Sequence, residues 1–280
     1  MSAGPDTEAR RAAASDEAGA YGVAFDSGRA GDPYAVIEHA IAAEFLASHD
    51  VDDVTRAASP VALLVSGPAG EALAVGPAGW LLAVGSPLVL YGADEVTRQP
   101  ARSLSDEEVH AVDAGSVTGL VVCDEPDCPA CALTLARLRG RTGAYLCGLA
   151  QGAVDAAVRH VKSRVQFGRP IGSNQAVAFQ LAALIARLTA VHALGEHVAT
   201  RLESGQADAD PLGEASRLLA ACAELAVEAT TAALHLHGAF GLRSDQDAQR
   251  FYRKACAFSV RHGTAAQLRL AVPTRREGSR

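Results

Sequence analysis

The stretch Arg164-Val-Gln-Phe-Gly-Arg-Pro-Ile-Gly-Ser-Asn-Gln175 separates two long segments that both have helical periodicity. Its Pro and Gly residues are typical of a turn, because Pro lacks a backbone N–H and Gly takes conformations that other residues rarely adopt. Apolar residues recur at helical spacing on both sides of it. They are Leu135, Leu138, Tyr145, Leu146, Leu149, Val154, Val158 and Val161 before the turn, and Val177, Leu181, Leu184, Ile185, Leu188 and Val191 after it. The stretch is therefore predicted to connect two long antiparallel helices.

Two further helices are predicted towards the C-terminus. Asp210 is a helix-capping residue and Pro211 suits the first helical position, so a third helix begins there and runs to about residue 236. A shorter fourth helix covers about residues 245–261. Four helices with short connections predict an antiparallel four-helix bundle over residues 130–271, followed by a charged tail over 272–280. Four glycines in the first helix indicate close approach of other helices; they are Gly140, Gly143, Gly148 and Gly152.

Residues 32–126 follow a different pattern. A predicted helix over 33–47 is followed by short apolar runs between Gly and Pro residues, which are typical of closely spaced strands that pair antiparallel. These runs cover residues 61–65, 80–84, 88–91 and 120–123. The polar segment 98–113 is predicted to be a loop or short turn, and residues 1–31 a disordered tail. The fold class is therefore mainly α, with a small antiparallel β domain before the bundle.

Composition excludes several classes of partner. A net charge of −7 disfavours nucleic acid and anionic membrane surfaces, which require basic patches. No uninterrupted apolar run approaches the ~20 residues that span a bilayer. No apolar segment follows Arg10-Arg11, so export is not predicted and a cytoplasmic location is expected.

Three of the six cysteines lie close together, at Cys123, Cys128 and Cys131. Their spacing resembles three of the four thiolates of a plant-type iron–sulfur centre. No fourth Cys or His stands near them in the sequence, and their acidic and Pro neighbours do not favour thiolates. Ordinary thiols are therefore expected here, and no metal site is predicted.

Arg164 and Phe167 are the residues of the turn with the most specific chemistry. A planar guanidinium can bind a pyrophosphate through two parallel hydrogen bonds, and a Phe face can stack on a ring. A basic, exposed turn between helices would explain the same residues. The surrounding stretch from His160 to Gln175 resembles the acyl-CoA dehydrogenase family. So do His235-Leu-His-Gly-Ala-Phe-Gly241, Arg250-Phe-Tyr-Arg-Lys-Ala255 and Arg261-His262-Gly263-Thr264.

The resemblance implies a set of contacts to a flavin adenine dinucleotide (FAD) held mainly by a neighbouring subunit. The implied residues are Arg164, Phe167, Gln175, His235, Gly238 and Thr264. His235 replaces a Gln of the family pattern, and Ala239 replaces a Gly that would allow closer approach of the backbone. The strong match covers about residues 135–264. The motifs that hold the flavin ring, and most of the family's N-terminal helical domain, are not recognisable.

The family's proton acceptor is also missing. His262 stands where the family has its catalytic Glu. The alternative position, one residue before Arg139, is occupied by Leu138. A His can act as a base near neutral pH, but it becomes a cation when it does so. Whether His262 and Arg139 take part in catalysis is left open by the residues themselves.

The resemblance implies a subunit of a heteromeric FAD-dependent acyl-CoA dehydrogenase. A larger, Glu-bearing subunit is the expected partner, an α2β2 heterotetramer the expected assembly, and an acyl-CoA such as a steroid side-chain thioester the expected substrate. Two alternatives remain: a self-sufficient flavoenzyme with His262 as its base, and a structural paralogue without flavin.

Overall fold

The computed structural model describes residues 19–51, 60–66, 71–85, 87–203, 210–244 and 246–270. The helices are α1 (19–30), α2 (Ala35–Ala47), α3 (Pro129–Ser163), α4 (Gln175–Glu203), α5 (Pro211–His237), α6 (Asp247–Phe258) and α7 (Ala265–Leu270). The strands are β1 (Val61–Ser66), β2 (Ala72–Val75), β3 (Trp80–Ala83), β4 (Leu88–Gly92), β5 (Thr97–Pro100), β6 (Val109–Asp113), β7 (Leu120–Cys123), β8 (Val165–Gln166) and β9 (Arg169–Pro170). Short 3-10 turns cover Ile171–Ser173 and Gly238–Leu242.

The first seven strands form one sheet in the order β5-β6-β2-β1-β3-β4-β7. The apolar strand residues divide between its two faces because successive side chains point in opposite directions. Leu63 and Leu82 pack on one face with Phe45 of α2, while Ala62 and Leu81 lie on the other. The paired strands are antiparallel except β1 and β3, which run parallel. The prediction of an entirely antiparallel sheet was wrong for this pair.

The long helices α3, α4 and α5 form the bundle, with α6 packed against α3 and α5. The sequence prediction of this mainly α fold is confirmed. Asp210 caps α5 by accepting a hydrogen bond from the Gly213 backbone N–H at 2.8 Å, and Pro211 occupies the first turn. Helix α2 lies between the sheet and α3, so it couples the bundle to the β domain.

The predicted disordered tail over residues 1–31 is wrong where the structure describes it. Residues 19–30 form α1, which packs on the bundle through the buried side chains of Tyr21 and Ala24 and through close contacts at glycines. A Cβ on Gly28 would lie 2.0 Å from the Tyr145 carbonyl oxygen, and one on Gly148 would lie 2.0 Å from that of Phe25. The two backbones therefore touch. Residues 1–18 and the predicted C-terminal tail from 272 onward lie outside the described residues.

The segment 98–113 also departs from its prediction as a loop. Part of it extends β5 and part forms β6, which pair antiparallel from Thr97↔Asp113 to Pro100↔His110. All four β5 residues are exposed because this strand is at the edge of the sheet. An edge strand of polar residues has no alternating apolar pattern, which explains why the sequence did not indicate it.

Candidate functional site

A groove with a volume of about 650 Å³ lies where the C-terminal ends of α3 and α5 meet. The sequence prediction placed Arg164, His235 and Gly238 at one site, and all three line this groove. The other lining residues are His160, Gln166, Ile171, Leu236, His237, Ala239 and Phe240. None of these lining residues, all within the described part of the chain, is acidic. The groove therefore suits an anion.

Arg164 ends α3 with an extended backbone, and its side chain is exposed. The backbone is held on both sides of this residue. Its N–H donates to the His160 carbonyl at 2.8 Å, and its carbonyl accepts from the Ile171 N–H at 2.9 Å. Among the described residues, the exposed guanidinium has no hydrogen-bond or ion-pair partner. The five N–H donors of this guanidinium are thus available to a ligand, and the backbone that carries the side chain is held in place.

Phe167 lies at the tip of the β8–β9 hairpin, outside the groove lining. Phe167 and Gly168 both have positive φ angles, 52° and 81°, as a two-residue type I′ turn requires. Positive φ is unfavourable for a bulky residue, and the Phe167 side chain is fully exposed, at 102%. An apolar side chain that a strained backbone holds in solvent indicates a surface that another molecule covers.

Histidines line the groove beside Arg164. The rings of His160 and His237 stack with centroids 4.3 Å apart, and the His237 Nδ1–H donates to the Ala233 carbonyl at 2.7 Å. Burial lowers the pKa of His160, and the nearby His237 and Arg164 lower it further. His160 and His237 were not among the predicted site residues, although the motifs that carried the family resemblance contain both.

Gly238 ends α5 with φ 60° and ψ −149°, a conformation that is essentially restricted to glycine. Apart from its two neighbours in the chain, none of the described residues comes within 4 Å of where its Cβ would be, so the backbone here is open to close approach. Neighbouring Ala239 lines the groove and is exposed.

The structure does not bring Gln175 or Thr264 to the groove lining. Gln175 begins α4 and is exposed. The Thr264 Oγ1 accepts from the Gln267 N–H at 3.3 Å, and the Thr264 N–H donates to Gln267 Oε1 at 2.9 Å. This reciprocal pair is a capping box that starts α7, so Thr264 has a local structural role.

His262 lies in a different, buried environment beside α2. Its side chain is 6% exposed, and its Nε2 lies 2.7 Å from the Tyr34 hydroxyl and 3.5 Å from Glu38 Oε1. Burial lowers the pKa of His262 well below its usual value, and Arg261 and Arg139 lower it further. Arg139 donates to Ser216 Oγ at 2.6 Å. Protonation of His262 would add a third positive charge to those of Arg261 and Arg139, which argues against His262 as a proton acceptor.

The buried neutral His262 is expected to make stability depend on pH. Its pKa is lower in the folded than in the unfolded chain, so its stabilising contribution is full above pH ~6.5 and is lost as the pH falls below that value. The free energy of unfolding should fall by at most about 1.4 kcal/mol per pH unit from this residue. Urea unfolding between pH 7 and 5 should show a weaker slope for His262→Gln than for the wild type.

His197→Gln is the matched control for this measurement. The His197 side chain is exposed, so its loss should leave the pH slope of the wild type unchanged. An equal slope for His262→Gln and wild type would contradict the neutral, buried state inferred for His262.

Helix α4 presents an unusual surface. Over its most apolar stretch of 18 residues the mean hydropathy is 1.7, yet only 17% of that stretch is buried. Phe179, Ile185 and Leu194 are exposed, at 69%, 42% and 47%. By length and composition α4 and the segment 211–242 could each cross a membrane, but the latter is 61% buried as a core helix. Polar residues interrupt the apolar sequence of both, so neither contains an uninterrupted apolar run long enough to span a bilayer.

The three clustered cysteines have a fourth neighbour that the sequence did not indicate. His49, which follows α2, brings its Nε2 to 3.5 Å from Cys128 Sγ and 3.4 Å from Cys131 Sγ. One ligand atom each from His49, Cys123, Cys128 and Cys131 all lie within 4.8 Å of one another. His49 precedes Cys128 by 79 residues, so the residues next to the cysteines in the sequence do not indicate it.

Comparison with known proteins identifies relatives of the bundle. The family model for the acyl-CoA dehydrogenase C-terminal domain matches residues 130–275. The probable acyl-CoA dehydrogenase FadE25 of Mycobacterium tuberculosis is 37% identical over 131 residues, which are 47% of this chain and 33% of that protein. The 3-(aryl)acrylate reductase of Clostridium sporogenes is 36% identical over 135 residues, 48% of this chain and 35% of that protein. The chain thus matches about a third of the length of these relatives.

Solved structures share most of the fold. A variant of the Tcur3481–Tcur3483 steroid ACAD superposes with a TM-score of 0.76 at 20% identity, covering 89% of this chain and 78% of that one. The ChsE4–ChsE5 complex of Mycobacterium tuberculosis superposes with a TM-score of 0.73 at 16% identity, covering 89% of this chain and 77% of that one. The family match spans more than half of the residues, and the helical bundle and sheet agree with it. The chain belongs to the acyl-CoA dehydrogenase family.

Proposed function

We propose that this chain is a non-catalytic or half-site subunit of a heteromeric, cytoplasmic acyl-CoA dehydrogenase. A larger, Glu-bearing partner would hold the FAD and the acyl-CoA, in an α2β2 assembly. The observation that carries the proposal is Arg164, a guanidinium that has no partner among the described residues and stands on a fixed backbone, in a groove whose lining has no acid. A ligand with adjacent phosphates fits such a groove better than a neutral one.

The residues fit a contact to FAD across a subunit interface. Arg164 would bind the pyrophosphate, and the open backbone at Gly238 would allow the dinucleotide to approach closely. Phe167 would pack on a part of the cofactor that projects from the partner. FAD supplies hydride-accepting chemistry when bound. The role of this chain is to hold its phosphates and to exclude water from them.

A self-contained catalytic site fits less well. At the family's Glu position His262 is enclosed by Tyr34 and Glu38, and its Nε2 already has a partner. Glu38 is itself bound by Arg261 through two hydrogen bonds, at 2.8 and 2.9 Å. These contacts favour a supporting role for His262 over the alternative in which it serves as the base.

The exposed apolar side chains of α4 are evidence that a partner subunit covers this helix. Gln175 and Phe179 lie in its first two turns, beyond the β8–β9 hairpin that carries Phe167. A partner covering this face would bury the apolar side chains and approach the hairpin in the same interface. The ChsE4–ChsE5 structure, which shares the fold, is a complex.

The proposed substrate is an acyl-CoA with a bulky acyl group, such as a steroid side-chain thioester. The Tcur3481–Tcur3483 protein, which shares the fold, is a steroid ACAD. Turnover of a steroid side-chain acyl-CoA by the complex, compared with that of a short straight-chain acyl-CoA, tests this choice. A preference for the short substrate would contradict it.

Arg164→Ala should weaken FAD binding by about 10- to 100-fold, the effect of losing one charge-assisted hydrogen-bonding group. The complex with the Glu-bearing subunit should be purified, and its FAD affinity measured by fluorescence titration after removal of the cofactor. The chain alone should retain little flavin because, in this proposal, the partner holds the flavin ring.

Arg98→Ala is the matched control, since Arg98 is an exposed arginine on β5, outside the groove lining. It should leave FAD affinity unchanged. If Arg164→Ala also leaves the FAD affinity of an intact complex unchanged, the result favours the alternative of a structural paralogue that makes no contact with flavin. A yellow chain purified alone, inactive only after His262→Ala, would instead establish the self-sufficient enzyme.

A further inference from the structure

Three separate elements bring four metal-binding side chains together at the junction of the sheet and the bundle. His49 follows the C-terminus of α2, Cys123 is the last residue of β7, and Cys128 and Cys131 flank the start of α3. We call these four residues the Cys3His cluster. Their facing ligand atoms all lie within 4.8 Å of one another, and all three cysteines are free. The cluster is independent of the FAD groove and of the proposed function.

Two distances within the Cys3His cluster match those between ligands of a tetrahedral ion. With zinc bonds of ~2.3 Å to sulfur and ~2.0 Å to nitrogen, tetrahedral angles place a sulfur and a nitrogen ligand about 3.5 Å apart. The His49 Nε2 lies 3.5 Å from Cys128 Sγ and 3.4 Å from Cys131 Sγ. Ligands of two different irons in an iron–sulfur cluster would lie on opposite sides of it and farther apart. The geometry therefore favours a single ion.

The imidazole of His49 is oriented as a metal ligand requires. Its Nδ1 lies 2.8 Å from the Phe45 carbonyl, to which it donates, and this leaves the lone pair of Nε2 facing the thiols. A hydrogen bond of this kind from the other ring nitrogen usually fixes a ligating His in proteins. Asp50, next in the chain, has φ 57°, so a tight turn places His49 against Phe45 at the end of α2.

We propose that the Cys3His cluster binds one zinc ion. Three thiolates and one imidazole form a set typical of structural zinc, and four protein ligands leave no position for a substrate. The ion would join α2, β7 and α3 at the edge of the core that includes Phe45, Leu63 and Leu82. Its role is to fix the β domain on the bundle.

The full chain, purified under reducing conditions without chelator, should contain roughly one zinc per chain by mass spectrometry of metals. Replacement by Co²⁺ should give the visible absorption of a tetrahedral thiolate site. Removing zinc with a chelator should lower the thermal midpoint by at least about 5 °C, and adding zinc should restore it. Flavin content of the complex is a separate readout, so failure here leaves the proposed function intact.

Cys128→Ser and His49→Ala should each lose most of the zinc, while Cys256→Ser, a cysteine outside the Cys3His cluster, should keep it. If the two ligand variants do not fold, the Co²⁺ spectrum and the chelator effect on the wild-type chain decide the matter. A wild-type chain that neither contains nor binds zinc or Co²⁺ would overturn the proposal. So would iron with inorganic sulfide in place of zinc, or zinc retained in a folded Cys128→Ser variant.

Discussion

Arg261→Met is expected to lower the free energy of unfolding by about 3–5 kcal/mol, because it leaves a buried carboxylate without its partner. Glu38 is 0% exposed and accepts hydrogen bonds from Arg261 Nε and Nη2. The guanidinium also donates to the Leu63 carbonyl at 3.3 Å and the Leu73 carbonyl at 3.2 Å. Burial raises the pKa of Glu38, and Arg261 opposes that rise. Burial alone would lower the pKa of Arg261, but Glu38 reverses the direction.

The double variant Arg261→Met with Glu38→Leu should recover much of the loss, since it removes the uncompensated charge together with its partner. Arg187→Met breaks an exposed pair with Glu228 and should change stability by less than about 1 kcal/mol. Urea unfolding of all variants measures these differences. An Arg261→Met loss as small as that of Arg187→Met would show that the buried pair contributes little.

Gly148→Ala is expected to destabilise the chain by about 3 kcal/mol, although Ala favours helices over Gly by about 1 kcal/mol. The new Cβ would lie 2.0 Å from the Phe25 carbonyl oxygen and 2.7 Å from the Arg29 nitrogen. Backbone atoms cannot give way as a flexible side chain does. Helix α1 must therefore move away and expose Tyr21, which is 3% exposed in its packed position. Hydrogen exchange of residues 19–30 should accelerate.

Gly140→Ala on the same helix is the control that separates packing from helix propensity. There the nearest atom to a new Cβ is Leu202 Cδ1, at an ordinary contact distance of 3.6 Å. This variant should be neutral, or more stable by up to about 1 kcal/mol. Equal gains in stability at positions 140 and 148 would rule out the close α1–α3 contact.

Local signals determined much of the bundle. Helical periodicity and the Pro and Gly residues of the turn predicted α3, α4 and the connection that carries Arg164. Asp210 and Pro211 predicted the start of α5. These features depend on residues within a few positions of one another, so the sequence expresses them directly. The family resemblance added Gly238 and His235, which the structure places in the same groove as Arg164.

Other features depend on packing between distant segments. The sequence of α1 has small residues and few large apolar ones, and its place in the bundle depends on close contact with the α3 glycines and on the burial of Tyr21 in the core. The parallel pairing of β1 with β3 and the edge strand β5 likewise depend on neighbours in the sheet. No periodic pattern in the sequence indicates them.

The sequence by itself determined the helical bundle, the turn that carries Arg164 and the family, because these depend on short-range periodicity and on contiguous motifs. Only the tertiary structure decided which polar groups meet. It paired Glu38 with Arg261, 223 residues away, and it brought His49 to Cys128, 79 residues away. The physical reason is that a buried charge or a free thiol takes its partner from the nearest atoms in space, and packing rather than chain order determines those atoms.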